Sequence, residues 1–471
     1  AQAVHDDVQV VIAVTDREGN VLGVFDMTGA PPTSLDDAFG IFSPPATTTL
    51  PTPQEIAIQK ARTAAYLSSD QNAFSTRTAA QITGDHFPPG INNAGPGPLF
   101  GLPMSSLPCG DVQKNGSGLT GALGGIPLYQ LHAIAGGIGV DGARNAQGGE
   151  NQNEDEVIAL AGTRRGYGTP ASITANNLLV NGFRFDWIGT RFYNNLPPMT
   201  FASLPGAEDA GFPIVAGSPP PTEVIEASVP GEWRFPPISS TVSSLTAADV
   251  TKLVDQSLRE EKITRAAIRL PVGIPARMQV GVTDIAGNVL GLFRTNDATM
   301  FSMDIVIQKG RTVTSFSDPS QSLGQRLRDN LQISENAPLA VTSRTIEFLA
   351  QPFYPPGINN TPAGPLFCFD NTMAIIQPYC LQQQLYNMHP MPTCLPNGNG
   401  LTLFPGSTPL YKDGVLVGGL GISGDGVDQD DFVTSAGAAG YLPADGIRAT
   451  QIKFRGTYLP FFLFPRHPTL D

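Results

Sequence analysis

Apolar residues dominate VQVVIAVTD (Val8–Asp16), give way at a polar Asp-x-x-Gly-Asn turn and resume in VLGVF (Val21–Phe25). Two apolar runs joined by residues that tolerate positive φ predict a β-hairpin. The same pattern is written again as RMQVGVTDIAGNVLGLF at Arg277–Phe293. Asp16 and Asp284 open the two turns and are expected to bond their own backbone. Helical periodicity is clearest just before the second hairpin, where Val250, Leu253, Val254 and Leu258 share a face. Thr246 with Asp249 predicts a capping box, and Leu245 with Val250 a hydrophobic staple. After each hairpin comes a helix, carrying Ile56, Ile58, Lys60 and Arg62 or, in the copy, Ile305, Ile307, Lys309 and Arg311. Short helices follow near Thr76–Thr83 and Ser343–Ala350. Each half closes with a Gly-rich strand and a helix acidic at its N-terminal end.

The hairpins lie 268 residues apart, so the chain reads as a tandem duplication. IQKART (Ile58–Thr63) and IQKGRT (Ile307–Thr312) lie 249 apart, FPPGINN (Phe87–Asn93) and YPPGINN (Tyr354–Asn360) 267 apart, and IPLY (Ile126–Tyr129) and TPLY (Thr408–Tyr411) 282 apart. The drifting offset places 19 extra residues in the first half, within Pro31–Pro53. It places 18 in the second near Phe316–Leu339, and 15 more in the segment holding three cysteines. Insertions between motifs are expected as surface loops. The Pro-rich stretch 196–244 reads as a semi-rigid linker, giving a first module at 1–195 and a second at 245–471. The first module has no counterpart of the helix before the second hairpin. Either processing removed it or another element covers that sheet face, which marks a candidate partner surface.

Forty-one acidic against 28 basic residues give a net charge of −13, which argues against nucleic acid or an anionic membrane as partner. A charged fraction of only 15%, with 51 Gly and 43 Pro, suits a rigid, loop-rich exported protein, periplasmic or extracellular. No signal peptide is visible, as expected of a processed chain. The longest apolar stretch, Gly121–Val140, is interrupted by Gln130 and His132 and is too polar for a membrane span. Cys109, Cys368, Cys380 and Cys394 form no C-x-x-C pair, which disfavours a zinc ribbon or a c-type haem site and favours disulfides. Cys380 and Cys394, bracketing a short Pro-rich loop, are the preferred pair.

Gly137, Gly139 and Gly142, like Gly419, Gly421 and Gly424, fit G-x-G-x-x-G, but they lie along a strand rather than opening a helix. A dinucleotide site is therefore rejected in favour of close packing against these strands. The acidic clusters around Asp155 and Asp430 lack EF-hand spacing, and helix capping is the default reading. No nucleophile elbow, zinc-protease motif or P-loop occurs, and no Ser/His/Asp or Cys/His set recurs in both halves. Nothing here requires an enzyme.

The order of helix, strand, DxxGN hairpin, Lys-x-Arg helix, Pro-x-Gly loop, Gly-rich strand and Gln-Asp helix resembles the GlcG/HbpS family, also called DUF336 or haem-degrading. The matching residues are Thr283-Asp284, Gly287-Asn288, Lys309, Arg311, Pro356-Gly357, Pro409-Leu410, Gly421–Gly424 and Gln429-Asp430. The likeness covers Leu245–Tyr441 and, less completely, Val8–Tyr167. It implies an α/β (α+β) fold of two profilin-like modules, each a mainly antiparallel sheet with packed helices. It also implies homo- or hetero-oligomerisation and, in some members, binding of haem.

The five histidines, His5, His86, His132, His389 and His467, are not duplicated, which argues against paired His-ligated haem sites. Candidate ligand-binding residues are the cations Lys60, Arg62, Lys309 and Arg311, with His86, Phe87, Asn92, Tyr129, Tyr354, Asn359 and Tyr411 around the PPGINN loops and strand ends. The bland alternative for the cations is a solvated helix face or an internal salt bridge with Asp16 or Asp284. The leading expectation is an exported binding protein for haem or another small carboxylate-bearing ligand, without turnover. The alternative is a structural subunit of a larger extracytoplasmic complex, and haem degradation ranks last.

Overall fold

The computed structural model describes the chain apart from residues 37–50, 103–111, 113–118, 190–198, 200–202, 218–223, 368–400 and 464–471 and the isolated positions 85, 92–93, 101, 145–147, 150, 165, 227–228 and 359. The chain forms two compact units. One comprises Ala1–Gly84, Ser117–Pro220 and Ile268–Pro271; the other comprises Asp85–Gly116, Pro221–Ala267 and Val272–Asp471. The first PPGINN loop therefore belongs to the second unit.

Alternating strands and capped helices build the first unit in the order α1 (Gln2–His5), β1 (Val11–Asp16), β2 (Val21–Met27), α2 (Pro53–Leu67), α3 (Thr76–Thr83), β3 (Gly125–Gln130), β4 (Ala133–Asp141), α4 (Gln152–Gly162), β5 (Leu179–Val180), β6 (Phe183–Arg184) and β7 (Gly206–Glu208). Its main sheet runs β3-β4-β1-β2-β7 and is antiparallel throughout. Val11, Ala13 and Val24 face Ala57 and Ile58 of α2, while Leu128, Ile138 and Val140 pack with Ile158 of α4 on the other face.

The second unit repeats the plan with β8 (Val224–Glu226), β9 (Val229–Phe235), α5 (Ala247–Ile263), β10 (Met278–Asp284), β11 (Val289–Thr295), α6 (Ser302–Ser317), α7 (Ser322–Leu331), α8 (Ser343–Leu349), β12 (Ser407–Lys412), β13 (Val415–Gly424), α9 (Val427–Gly437), β14 (Lys453–Phe454) and β15 (Thr457–Tyr458). Its sheet runs β12-β13-β10-β11-β9-β8. Register is kept between the copies. Thr15 sits opposite Gly137 and Thr283 opposite Gly419, and both hairpins shift register at the same step, Val14/Thr15 and Val282/Thr283. The fold is thus α+β, with a helix-flanked antiparallel sheet in each unit.

Capping decides where α5 begins. Thr246 and Asp249 form the reciprocal capping box, and Leu245 and Val250 are both buried beside it. Asp16 and Asp284 each accept the backbone N–H of the turn asparagine, Asn20 at 2.9 Å and Asn288 at 3.0 Å. The strand glycines serve helix–sheet contact: a Cβ on Gly139 would stand 1.9 Å from the Ala57 carbonyl oxygen, and one on Gly421 1.9 Å from that of Val306. Only hydrogen fits there.

Two expectations change. The insertion near Phe316–Leu339 is not a plain loop, because Leu327 and Leu331 recur at helical spacing and form α7, buried with Phe316 and Val313. The Pro-rich stretch 196–244 contributes β7 to one sheet and β8 and β9 to the other. Where prolines are sparse, its backbone N–H groups are available to an edge.

Candidate functional site

The duplicated Lys-x-Arg helices hold the charged residues singled out by sequence, and both lysines point inward. Lys60 of α2 is fully buried; its Nζ donates to the Val140 carbonyl at 3.0 Å and lies 2.8 Å from Asp36, 2.8 Å from Asp141 and 3.3 Å from Asp155. Burial alone would lower the ammonium pKa, but attraction from Asp141, Asp155 and Asp36 outweighs it and holds it well above its ordinary value. Asp155 goes well above the ordinary carboxyl value, through burial and the neighbouring Asp141, against the pull of Lys60. The three carboxylates have oxygens within 4.8 Å of one another, a spacing that would suit a metal ion, but the Lys60 ammonium is already their shared cation.

The second copy is simpler. Lys309 Nζ donates to the Ile422 carbonyl at 2.6 Å and to Asp430 at 2.8 Å, and sits 4.9 Å from the centre of the Phe404 ring. Burial pushes Asp430 up to about 7 and Lys309 down, and attraction from Asp430 and Asp431 does not reverse the second shift. The arginines clamp the hairpin turns: Arg62 Nε donates to Gly19 O at 2.8 Å and Arg311 Nε to Gly287 O at 2.8 Å. All four expected ligand cations are therefore buried and engaged by protein groups, which corrects their assignment to a carboxylate ligand. The lysines pair instead with Asp36, Asp141 and Asp155 in the first copy and with Asp430 in the second, not with Asp16 or Asp284 as expected.

Tyr129 is buried with its hydroxyl donating to backbone carbonyls, 2.8 Å from Ser69 O and 2.9 Å from Asn72 O, which does not fit its reading as a ligand-binding residue. Tyr411 is half-buried, and burial pushes its phenol up to about 12. Tyr354 packs edge-on to Phe348 at 5.5 Å and Phe454 at 5.4 Å, with its hydroxyl donating to Phe454 O. Its peptide to Pro355 is cis, as is Phe87–Pro88 in the other copy. Phe87 is half-buried, and its N–H donates to Gly95 O at 2.7 Å. Asn92, Asn359 and the four cysteines, with the Cys380–Cys394 pairing, lie outside the described residues.

The remaining candidate is His86. It is half-buried next to the cis-proline turn, with Nδ1 3.1 Å from Ala94 O. A carbonyl can only accept, so Nδ1 carries a proton and donates it to Ala94 O. Metal-ligating imidazoles are commonly fixed by this kind of bond on the opposite ring nitrogen.

Sequence reasoning stopped the repeat at Tyr167 and Tyr441, and the structure carries it further. Ile173 O and the Ala175 N–H bracket Ala73 at 2.8 and 3.0 Å, as Ile447 O and the Ala449 N–H bracket Ala340 at 2.7 and 2.9 Å. A two-residue hairpin follows each bracket, with Asn181-Gly182 and Arg455-Gly456 at positive φ. In the second copy Arg455 lies 5.0 Å from the Phe454 ring centre and 5.9 Å from that of Tyr354, and donates to Ala363 O at 2.7 Å, closing the cis-proline loop. The signal available in sequence was the X-Gly turn after LLVN and IKFR. It is too short to align without the bridges that anchor it.

Residues 259–439 match the family model described as "Haem degrading protein HbpS-like". Similar solved structures include the PduOC–haem complex, 18% identical over 41% of this chain and 91% of that one, with a TM-score of 0.25. Klebsiella pneumoniae protein ORFY, of DUF336, is 16% identical over 43% of this chain and 92% of its own, with a TM-score of 0.26. HbpS is 18% identical over 41% and 88%, with a TM-score of 0.22. A search of curated proteins gave no match.

Proposed function

We propose, from the premise that this chain is a GlcG/HbpS-like protein through residues 259–439, that it binds haem at a single site beside the first cis-proline loop and holds it without turnover. The observation that carries this reading is the match of residues 259–439 to the HbpS-like family model, and His86, fixed beside the cis-proline turn by its Nδ1 bond to the Ala94 carbonyl, is the candidate iron ligand. Ile91, exposed on the same loop, adds apolar surface of the kind a porphyrin face needs. When bound, haem would supply an iron for which His86 is the axial ligand.

The second copy has Phe353 where the first has His86, so one haem per chain is expected. The buried lysines and arginines brace helix, sheet and turn inside each unit and take no part. A low charged fraction with abundant Gly and Pro supports an exported location.

Titration of the full chain with haemin tests this. A Soret shift saturating at one equivalent, lost in His86→Ala without a change in unfolding temperature, supports it. No shift, or a shift that survives His86→Ala, counts against it.

A further inference from the structure

Beyond its two-residue hairpin each copy continues as a short strap that ties two helices together. In the second unit Thr342 Oγ1, at the start of α8, donates to Phe461 O, and Thr345 Oγ1 donates to Pro460 O at 2.6 Å. Two residues on, the Leu463 N–H donates to the Asp431 carboxylate of α9 at 3.0 Å. The first unit repeats the arrangement. Ser75 Oγ donates to Trp187 O, Thr78 Oγ1 to Asp186 O at 2.8 Å, and the Gly189 N–H to Glu156 of α4 at 2.7 Å. In each unit an arginine grips the carboxylate that holds the strap: Arg77 Nε lies 2.9 Å from Glu156, and Arg344 Nε 2.8 Å from Asp431.

The charge around that arginine differs between the copies. Arg77 also donates to the neutral amide oxygen of Asn153 at 2.9 Å, and Ala80 stands where the second copy has Glu347. Arg344 instead meets two further carboxylates, Asp428 of α9 at 2.7 Å and Glu347 of α8 at 3.4 Å. The neighbouring Lys309 of α6 is already bound to Asp430 at 2.8 Å. One guanidinium thus faces three carboxylates, with Asp431 buried and the Glu347 side chain only 24% exposed. We infer that the second strap is a pH-operated latch, closed while Glu347 is protonated and released when it ionises. Ionised Glu347 repels Asp428 and Asp431, and the strap cannot stay bonded to both helices as α8 and α9 separate. Its Leu463 end yields first, being 41% exposed, whereas Phe461 is buried. Burial pushes Glu347 up to about 7; Arg344 and Lys309 oppose the shift, and Asp431 and Asp428 add to it. The latch is therefore closed below about 7 and opens as pH rises through that value. The first strap lacks both extra carboxylates and stays closed. The latch is independent of the haem reading, which rests on other residues.

Hydrogen exchange of the full chain, read by mass spectrometry and corrected for its intrinsic pH dependence, tests this. Protection of residues 459–463 is expected to fall about tenfold between pH 6 and pH 8. That ratio follows for a group ionising at about 7 when latched and at its ordinary 4.5 when released. Protection of residues 183–189 should stay constant. Glu347→Gln should abolish the fall, and Asp428→Asn, which installs the residue of the first copy, should reduce it. An unchanged unfolding temperature at pH 6 verifies that each variant is folded, and the half-exposed Asp428 tolerates replacement whatever Glu347→Gln does. Constant protection of residues 459–463, an equal fall in residues 183–189, or a fall undiminished in either variant would overturn the inference.

Discussion

Lys309 and Asp430 meet at 2.8 Å inside the second unit, the lysine without any exposure and the aspartate with almost none. Removing one partner strands the other charge in a low-dielectric interior. Lys309→Met is therefore expected to cost about 3–5 kcal/mol of unfolding free energy. The double variant Lys309→Met, Asp430→Leu should recover most of that loss, because apolar groups need no counter-ion. Urea unfolding of the four-member cycle measures the coupling. Equal losses in the single and double variants would contradict it.

Stability is expected to fall as pH rises from about 4.5 to about 8. Burial pushes Glu261, on the inner face of α5, up to about 8, and Glu347 up to about 7. Each of these groups holds a proton in the folded chain that the unfolded chain has already released. Their stabilisation is complete below the unfolded value and is lost as pH passes through the folded one. Glu261→Gln, which keeps an acceptor for the Met278 N–H, should flatten the pH dependence of the urea midpoint. A midpoint that rises between pH 5 and 8 would contradict this.

Gly421→Ala is expected to displace α6 from β13, since the new methyl would lie 1.9 Å from the Val306 carbonyl oxygen. Overpacking of this kind costs about 1–3 kcal/mol or more. Gly139→Ala should act alike against α2. Gly414→Ala is the control for added bulk, as nothing lies within 4 Å of it, although its positive φ carries a smaller strain. Denaturation midpoints of the three variants should rank accordingly.

Arg311→Leu removes a charged donor from Gly287 O while keeping much of the side-chain volume. A loss of about 1.5–3 kcal/mol is expected, as is usual for a hydrogen bond to a charged group. Amide exchange in the Asp284–Asn288 turn should speed up together with the stability change. Unchanged exchange there would mean that the turn holds without its clamp.

Much of the fold was legible because repetition and periodicity agree. Capping at Thr246, the turns at Asp16 and Asp284 and the close-packed strand glycines follow from local chemistry. The site was less legible for a physical reason. Lysine and arginine are usually exposed, so their duplication in an acidic protein suggested a ligand, yet Asp36, Asp155 and Asp430 lie far along the chain and neutralise the lysines internally, while the arginines bond turn carbonyls. Tyr129 looked available because its partners, Ser69 and Asn72, are backbone carbonyls that no side-chain pattern reveals.

The account rests most directly on haem being bound once and left intact. Absorption of the full chain followed over time, after addition of one equivalent of haemin and then peroxide, tests both parts together. A shifted Soret band that depends on His86 and decays no faster than free haemin is the expected result. Absence of the shift, a second equivalent bound, or bleaching faster than that of free haemin would contradict it.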